Sequence, residues 1–410
     1  LWPLEAGPGG KSPGQIRNEK SAIHHGIGGV GMGRKVAVVA VAQMGHEEIF
    51  RLNIREVTYR VVKNLLAQAG ITRDDIGTIV TSSSDYWQGI SCSNTYYYDA
   101  VGGYLKNSSK TEEDGAFAFL YGYLRVMSGH FDTAIIHAIT KMSEIPEPST
   151  LTNMYADPFF QRPVGIEDLS AAALQANLYM AKYGITERQA AKVVVKNLGN
   201  ARNNPYAFKK EKVTIQKVLK SEKLAYPIKA LDCAPESDAT CAILLASEEK
   251  AKQLTDTPAW VKGVGWSVDD YFLGDRNFLN GGLKRAAQKA YTMAGISRPL
   301  EEIDVAEVCE PYSFQELLWY EQLGLCGEGE GGKFIDQGVS SLDGKLPVNP
   351  SGGVLAANPY VARGLIRIAE AALQVMGQAE NRQVSKVRTA LAHSTHGLAG
   401  QHHSVVILGR

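Results

Sequence analysis

Six side chains of this 410-residue sequence have the types that proton transfer, nucleophilic attack or oxyanion binding require: Glu112, Cys309, Tyr312, Asn358, Tyr360 and His396. Glu112 opens the acidic run Glu112-Glu113-Asp114 ahead of the helix-like segment GAFAFLYGYLRVM. A helix dipole there stabilises the anion while a low-polarity site raises the carboxyl pKa, so the sign of its shift stays open. The plain alternative is an acidic first turn with no further role. Cys309 is a nucleophile only as its thiolate, and the plain alternative is a small buried hydrophobe. Cys92, in SSSDYWQGISCSN, is a weaker thiol candidate. His396, next to Gly397, titrates near neutral pH and suits acid or base work. Tyr312 and Tyr360 offer phenol donors.

Two glycine-marked loops carry several of these groups. VNPSGGVLAANPYVARG, Val348 to Gly364, precedes a segment with the apolar spacing of an amphipathic helix. Its Gly352 and Gly353 allow backbone to approach a ligand closely, as do Gly397 and Gly400 in HSTHGLAGQHH. His402 and His403 open the last strand, so alternation turns one inward and the other away. Gly26, Gly28 and Gly31 formally satisfy G-x-G-x-x-G, but they precede a strand instead of following one, and the dinucleotide reading fails.

The elements that must position these groups repeat. RKVAVVAVA, then a helix, the turn AGITR and a second strand recur after Thr257 as AWVKGVGWSV, a helix, the turn AGISR and a strand. DGAFAFLYGYLRVMSGHFDTAIIHAI is matched in outline by VARGLIRIAEAALQVMGQ and VRTALAHSTHG. The repetition predicts a duplicated α/β unit with sheets sandwiched between helices. The N-terminal half covers 34–256, with a mostly helical insertion at about 155–215, and the C-terminal half covers 257–410. Residues 1–33, rich in Gly and Pro, read as a flexible extension or as sequence ahead of a start at Met32.

Composition sets bounds. A 44% hydrophobic share is ordinary for a soluble protein, and Lys plus Arg balances Asp plus Glu at 43 each, which advertises no nucleic acid. The apolar run Val36 to Ala42 is far below the roughly 20 residues of a membrane span. Five cysteines without paired metal-ligand spacing read as a reducing cytoplasm and no metal in this chain. Lys209, Lys210 and Lys212 read as a solvated face that can still meet the phosphates of a small ligand.

From about Lys35 to Arg410, the duplication, DCAPESDATCAILLAS, NPSGG and above all EVCEPYSFQELLWYEQLGLCGEGEGGKFI resemble the thiolase superfamily, near its sterol-carrier-type and archaeal acetoacetyl-CoA branch. The resemblance implies a five-layer αβαβα fold and a Cys nucleophile at the start of the first buried helix. Aligning Gly115 with the family glycine puts Glu112 where that Cys is expected. Cys309 takes the place of an Asn or His, Asn358 takes that of the His in a Gly-His-Pro loop, and Arg363 replaces a small residue. The C-terminal loop has no Cys, and His396 is its candidate acid or base. Thiolase-like retro-aldolases are similar in lacking the Cys and using nearby tyrosines, which implicates Tyr312 and Tyr360.

The resemblance thus implies an enzyme that cleaves or forms a carbon–carbon bond in an acyl-CoA thioester, with coenzyme A as substrate or product and no tightly bound cofactor. Glu112 or His396 would exchange protons, and Asn358 would hold an enolate oxygen. Tyr96, Tyr97, Tyr98, Tyr155, Phe159 and Phe160 could line a pocket for a bulky or aromatic acyl group, or pack a dimer. A homodimer with a small zinc-ribbon and OB-fold partner subunit is the expected assembly. The alternatives are a non-catalytic subunit that binds CoA or scaffolds a partner, and a polyketide-type condensing enzyme, which is disfavoured by the missing Cys.

Overall fold

The computed structural model describes residues 34–112 and 114–410; the expected flexible extension, 1–33, lies outside them. The first half contains strand β1 (Val36–Met44), helix α1 (Ile54–Ala69), strands β2 (Thr78–Ser82) and β3 (Asn107–Thr111), helix α2 (Gly115–Met127) and strand β4 (Thr133–Thr140). Helices α3 (Asp168–Tyr183) and α4 (Glu187–Ala201) precede strand β5 (Ala239–Ser247). The second half contains strand β6 (Ala259–Val268), helix α5 (Gly282–Ala294), strand β7 (Val305–Glu307), helices α6 (Ser313–Gln322) and α7 (Arg363–Met376), and strands β8 (Thr389–His396) and β9 (His402–Gly409).

The AGITR and AGISR repeats are two copies of one helix stop. Gly70 and Gly295 both adopt the left-handed conformation, φ 65° and 73°, which favours glycine. The next amide donates five residues back, Ile71 to Leu66 O at 3.1 Å and Ile296 to Tyr291 O at 2.9 Å. Each stop turns the chain into the next strand.

The strands form one nine-stranded sheet in the order β3-β2-β4-β5-β1-β6-β9-β8-β7. Outward from the middle, β1-β5-β4-β2 and β6-β9-β8-β7 are the same order with the same parallel and antiparallel pairings. The halves join where Ala37 and Val38 of β1 face Trp260 and Ala259 of β6. Where the first half has β3, the second has only the bridge Ala306–Val348. The sequence predicts stacked layers, and the structure adds that the two half-sheets are continuous through this short junction.

Three cores separate the layers. Val57, Val61 and Leu65 of α1 pack on one face of the first half-sheet. Its other face, with Ile136 and Ile243, meets α2 and α7 together with Ala390, Ala392, Val406 and Leu408 of the second half-sheet. Leu391, Val405 and Ile407, on the remaining face, pack with α3, α4, α5 and α6. Strand alternation therefore yields the expected helix, sheet, helix pair, sheet, helix order. The central α7 is buried along almost its whole length. Among the described residues no helix is long and apolar enough to cross a membrane.

Candidate active site

The site is assembled where the two central helices begin. Helix α2 starts at Gly115, and its N-cap is Asp114, not Glu112. The Asp114 carboxylate is fully buried: Oδ1 accepts from Ala116 N and Ser394 Oγ, both at 2.8 Å, and Oδ2 from Gly364 N at 3.0 Å. Burial pushes its pKa up to about 6, against the pull of these donors and of Arg363. A Cβ on Gly364 would lie 1.8 Å from Asp114 Oδ1, so glycine is required for the two helix starts to meet. Held by three donors, two of them from the far half of the chain, Asp114 is a structural clasp.

Glu112 is corrected by the same geometry. It lies before the helix on an exposed loop, where Oε1 accepts from Asp85 N at 2.7 Å and Oε2 pairs with Lys110 Nζ at 2.5 Å. That ion cluster holds it at the surface, and it lines neither large cavity. Glu113 lies outside the described residues.

Cys309 follows β7 and is 0% exposed. Its N–H donates to His393 Nδ1 at 3.4 Å, its carbonyl accepts from Trp319 Nε1 at 3.0 Å, and its Sγ is 3.9 Å from Thr395 O. Burial pushes the thiol up to about 11, which suppresses the thiolate a nucleophile needs. Behind it His393 Nε2 lies 3.1 Å from His403 Nδ1. Both imidazoles are held neutral, chiefly by burial. Of the last histidine pair, His403 is buried and His402 half-buried, the predicted alternation. Cys92 is exposed.

Tyr312, Asn358 and Tyr360 do converge, on a cavity of about 230 Å³. Tyr312 caps α6 and Asp168 opens α3; both face this cavity, as does Cys233. Asp168 is half-buried, and its carboxyl is pushed up to about 6 by burial, against the attraction of Arg363. The Cys233 thiol is pushed up to about 12, also mainly by burial. Asn358 accepts from Arg363 Nη1 at 3.3 Å through Oδ1, while its backbone N–H donates to Ser237 Oγ at 2.9 Å. That leaves its amide N–H₂ as the remaining donor.

Tyr360 is 3% exposed, and its hydroxyl has no partner among the described residues. Trp87 stacks on its ring at 4.3 Å and donates from Nε1 to Tyr155 OH at 2.8 Å. Arg363, 2% exposed at the start of α7, lies 4.4 Å over the same ring and donates to Thr395 O at 3.0 Å. His396 ends β8 beside this group, 5.5 Å from the Tyr360 ring and 5.4 Å from Tyr155. Burial first, then Arg363 and His402, hold it well below its ordinary range, so it is neutral at pH 7.

The loop glycines have a different task. A Cβ on Gly352 would collide with Ala201 and Ala356, and one on Gly353 with Glu310 Oε1. The Asn-Pro-Ser-Gly-Gly turn is thus packed onto α4 and onto the buried Glu310, and lines neither large cavity. Gly397 and Gly400 form the β8–β9 turn, with Gly400 against Thr395, Trp319 and His403. The six aromatic residues expected around one pocket disperse: Tyr97 is core, half-buried Tyr98 donates to Lys106 O, Tyr96, Phe159 and Phe160 are exposed, and Tyr155 alone joins the Trp87 group.

Sequence reasoning missed Asp168 and Trp87 and gave Arg363 no role. Asp168 and Trp87 carry no local signal of the cavity. Arg363 did carry one, as a long cation in a small residue's place beside Gly364.

The family described as Thiolase C-terminal domain-like matches residues 267–410. Acetyl-CoA acetyltransferase of Methanothermobacter thermautotrophicus is 31% identical over 375 residues, covering 90% of this chain and 97% of that one. Benzoylsuccinyl-CoA thiolase subunit BbsB of Thauera aromatica is 34% identical over 229 residues, 55% of this chain and 59% of that one. Among solved structures, the Ltp2-ChsH2(DUF35) aldolase superposes with a TM-score of 0.77 at 22% identity, over 92% of this chain and 97% of that one. Human mitochondrial 3-ketoacyl-CoA thiolase in complex with CoA gives 0.69 at 16% identity, over 93% and 100%. On the match along nearly the whole archaeal acetyltransferase, the chain belongs to the thiolase family.

Proposed function

We propose that this chain breaks or forms the C2–C3 bond of an acyl-CoA thioester by an aldol-type reaction, without an acyl-cysteine intermediate. The observation that carries the reading is the convergence of Asp168, Tyr312, Asn358 and Tyr360, from three separate segments, on the lining of one cavity, where the buried Tyr360 hydroxyl has no partner among the described residues. Acyl-CoA substrates are supported by the relatives' names, acetyl-CoA acetyltransferase and benzoylsuccinyl-CoA thiolase subunit. The aldol branch is favoured because the two thiols near the site, Cys233 and Cys309, are both held protonated.

In the cleavage direction the Asp168 carboxylate takes the proton of the C3 hydroxyl. The C2–C3 electron pair moves into the thioester as C3 becomes a carbonyl. The Asn358 amide and the Tyr312 phenol donate to the enolate oxygen. Tyr360 returns a proton to C2 and is reprotonated through Asp168. His396, neutral and in edge contact with Tyr360, orients that ring and is not itself the base. Coenzyme A enters and leaves as part of the thioester. A homodimer and a small second subunit belong to the same reading, the second subunit supported by the two proteins named in the Ltp2-ChsH2(DUF35) aldolase.

The test is turnover of 3-hydroxyacyl-CoA esters by wild type and Tyr360→Phe. Release of a shorter acyl-CoA and a free carbonyl compound, lost in the variant, is the expected result. CoA binding without turnover of any ester would favour the non-catalytic subunit instead.

A further inference from the structure

The turn that carries Tyr312 and the loop that carries Asn358 and Tyr360 are tied to each other away from the cavity. Glu310, two residues before Tyr312, is 0% exposed. Its Oε1 accepts from the backbone N–H of Leu355 at 3.1 Å, three residues before Asn358, and from Asn197 Nδ2 of α4 at 2.9 Å. The Cβ that Gly353 lacks would collide with the same oxygen, so the loop closes directly onto this carboxyl group. The loop's other end is held independently. Asn349, at φ 55°, accepts from Val308 N at 2.7 Å, and Ser351 N donates to Glu307 Oε1 at 3.1 Å. Glu310 lines neither large cavity, so any effect on the reaction passes through the loop.

The same carboxyl group has a close neighbour of its own kind. Asn197 Nδ2 also donates to Glu316 Oε2 at 2.6 Å, so one amide nitrogen bridges two buried carboxyl groups. Glu316 gathers the remaining partners. Asn349 Nδ2 donates to its Oε2 at 2.9 Å, and its Oε1 accepts from Tyr320 and lies 3.0 Å from Lys196 Nζ. Arg367, the other cation nearby, is paired with Glu307 at 2.6 Å. Glu310 Oε2 has no partner among the described residues. Two buried carboxyl groups so close cannot both ionise against one ammonium group. The charge therefore rests on Glu316, which has the donors, and Glu310 keeps its proton. Burial first, then Glu316, hold Glu310 well above the ordinary carboxylate range, against the pull of Arg367, the Leu355 N–H and Lys196.

We propose that Glu310 is a positioning residue: as a neutral acid it clamps the Leu355 end of the loop to the Tyr312 turn and so sets Asn358 and Tyr360 relative to Tyr312. The proposal rests on the aldol reading above. Because Asn349 and Ser351 anchor the loop separately, loss of the clamp alters where Asn358 and Tyr360 lie more than whether the loop folds.

Turnover of a 3-hydroxyacyl-CoA ester by the full chain tests this. Gln has the shape of the neutral acid, so Glu310→Gln should keep kcat within about twofold. Glu310→Ala should lower kcat by about tenfold or more with KM nearly unchanged, because the donors it misplaces act on the transition state. In an Asn358→Ala background the same change should cost no more than about threefold, since one of the groups it positions is already gone. If Glu310→Ala does not fold, Asn197→Ala, which removes the bridging amide, should lower kcat by about threefold in its place. Independently of turnover, wild type at about pH 8 should show the infrared carbonyl band of a protonated carboxyl group that Glu310→Gln lacks. A folded Glu310→Ala or Asn197→Ala with unchanged kcat, or an equal loss in both backgrounds, overturns the positioning role. Glu310→Gln as slow as Glu310→Ala, or no such band, overturns the neutral clamp. Both results leave the aldol reading intact, whereas no turnover by wild type overturns that reading and the positioning role with it.

Discussion

The guanidinium carbon of Arg363 lies 4.4 Å over the ring of Tyr360, whose ring also stacks at 4.3 Å on Trp87. Among the described residues Arg363 forms no carboxylate ion pair and donates only to the neutral Asn358 and Thr395 oxygens. The cation is therefore spent on holding Tyr360 and Asn358 in place. The ring is thereby fixed between two planar partners.

Tyr360→Phe should lower kcat by about 10²-fold or more, the usual size of a lost general acid. Its thermal midpoint should change little, because the hydroxyl has no hydrogen bond to lose. Parallel melting and steady-state kinetics check both halves of this expectation.

Asp168→Asn should remove the base. In wild type the carboxyl titrates at about 6, raised by burial, so its basic form fills as pH rises through that value. kcat/KM should climb by up to tenfold per unit below pH 6 and level off above it. The variant should be slow at all pH values and lack this limb.

Glu112→Gln and Cys309→Ser are expected to leave kcat within about twofold, since neither side chain lines the cavity. Cys309→Ala should cost about 1–2 kcal/mol of stability through a small packing defect. Kinetics combined with denaturant melts separate the two effects.

Asp114 makes a distinct prediction for stability. Its folded pKa, about 6, lies above the ordinary 3.8, so the native state binds the proton more tightly. The contribution is complete below about pH 4 and is lost as pH rises through about 6. Asp114→Asn should flatten the fall in stability between those values relative to wild type, measured by urea unfolding across pH.

The duplicated fold was legible because it is written locally: AGITR and AGISR encode the same helix stop, and alternating apolar residues on β8 and β9 divide cleanly between two cores. Tyr312, Asn358 and Tyr360 were singled out through their loops, and the structure brings all three to the lining of one cavity. Glu112 was misplaced because its role depended on where α2 begins, and Asp114 sets that start through contacts to Gly364 and Ser394, some 250 to 280 residues away. Asp168 was invisible for a similar reason. Its neighbours in sequence explain only a helix start, and its chemical meaning comes from Tyr312 and Tyr360, which no local pattern connects to it.

The most direct measurement is product and intact-mass analysis of wild type and Tyr360→Phe supplied with matched 3-hydroxyacyl-CoA and 3-oxoacyl-CoA esters. The account expects the hydroxy ester to yield a shorter acyl-CoA and a free aldehyde or ketone, with no covalent adduct on the protein and loss of turnover in the variant. An acyl adduct on a cysteine, with the oxo ester split into two acyl-CoA products at an undiminished rate in Tyr360→Phe, would contradict it.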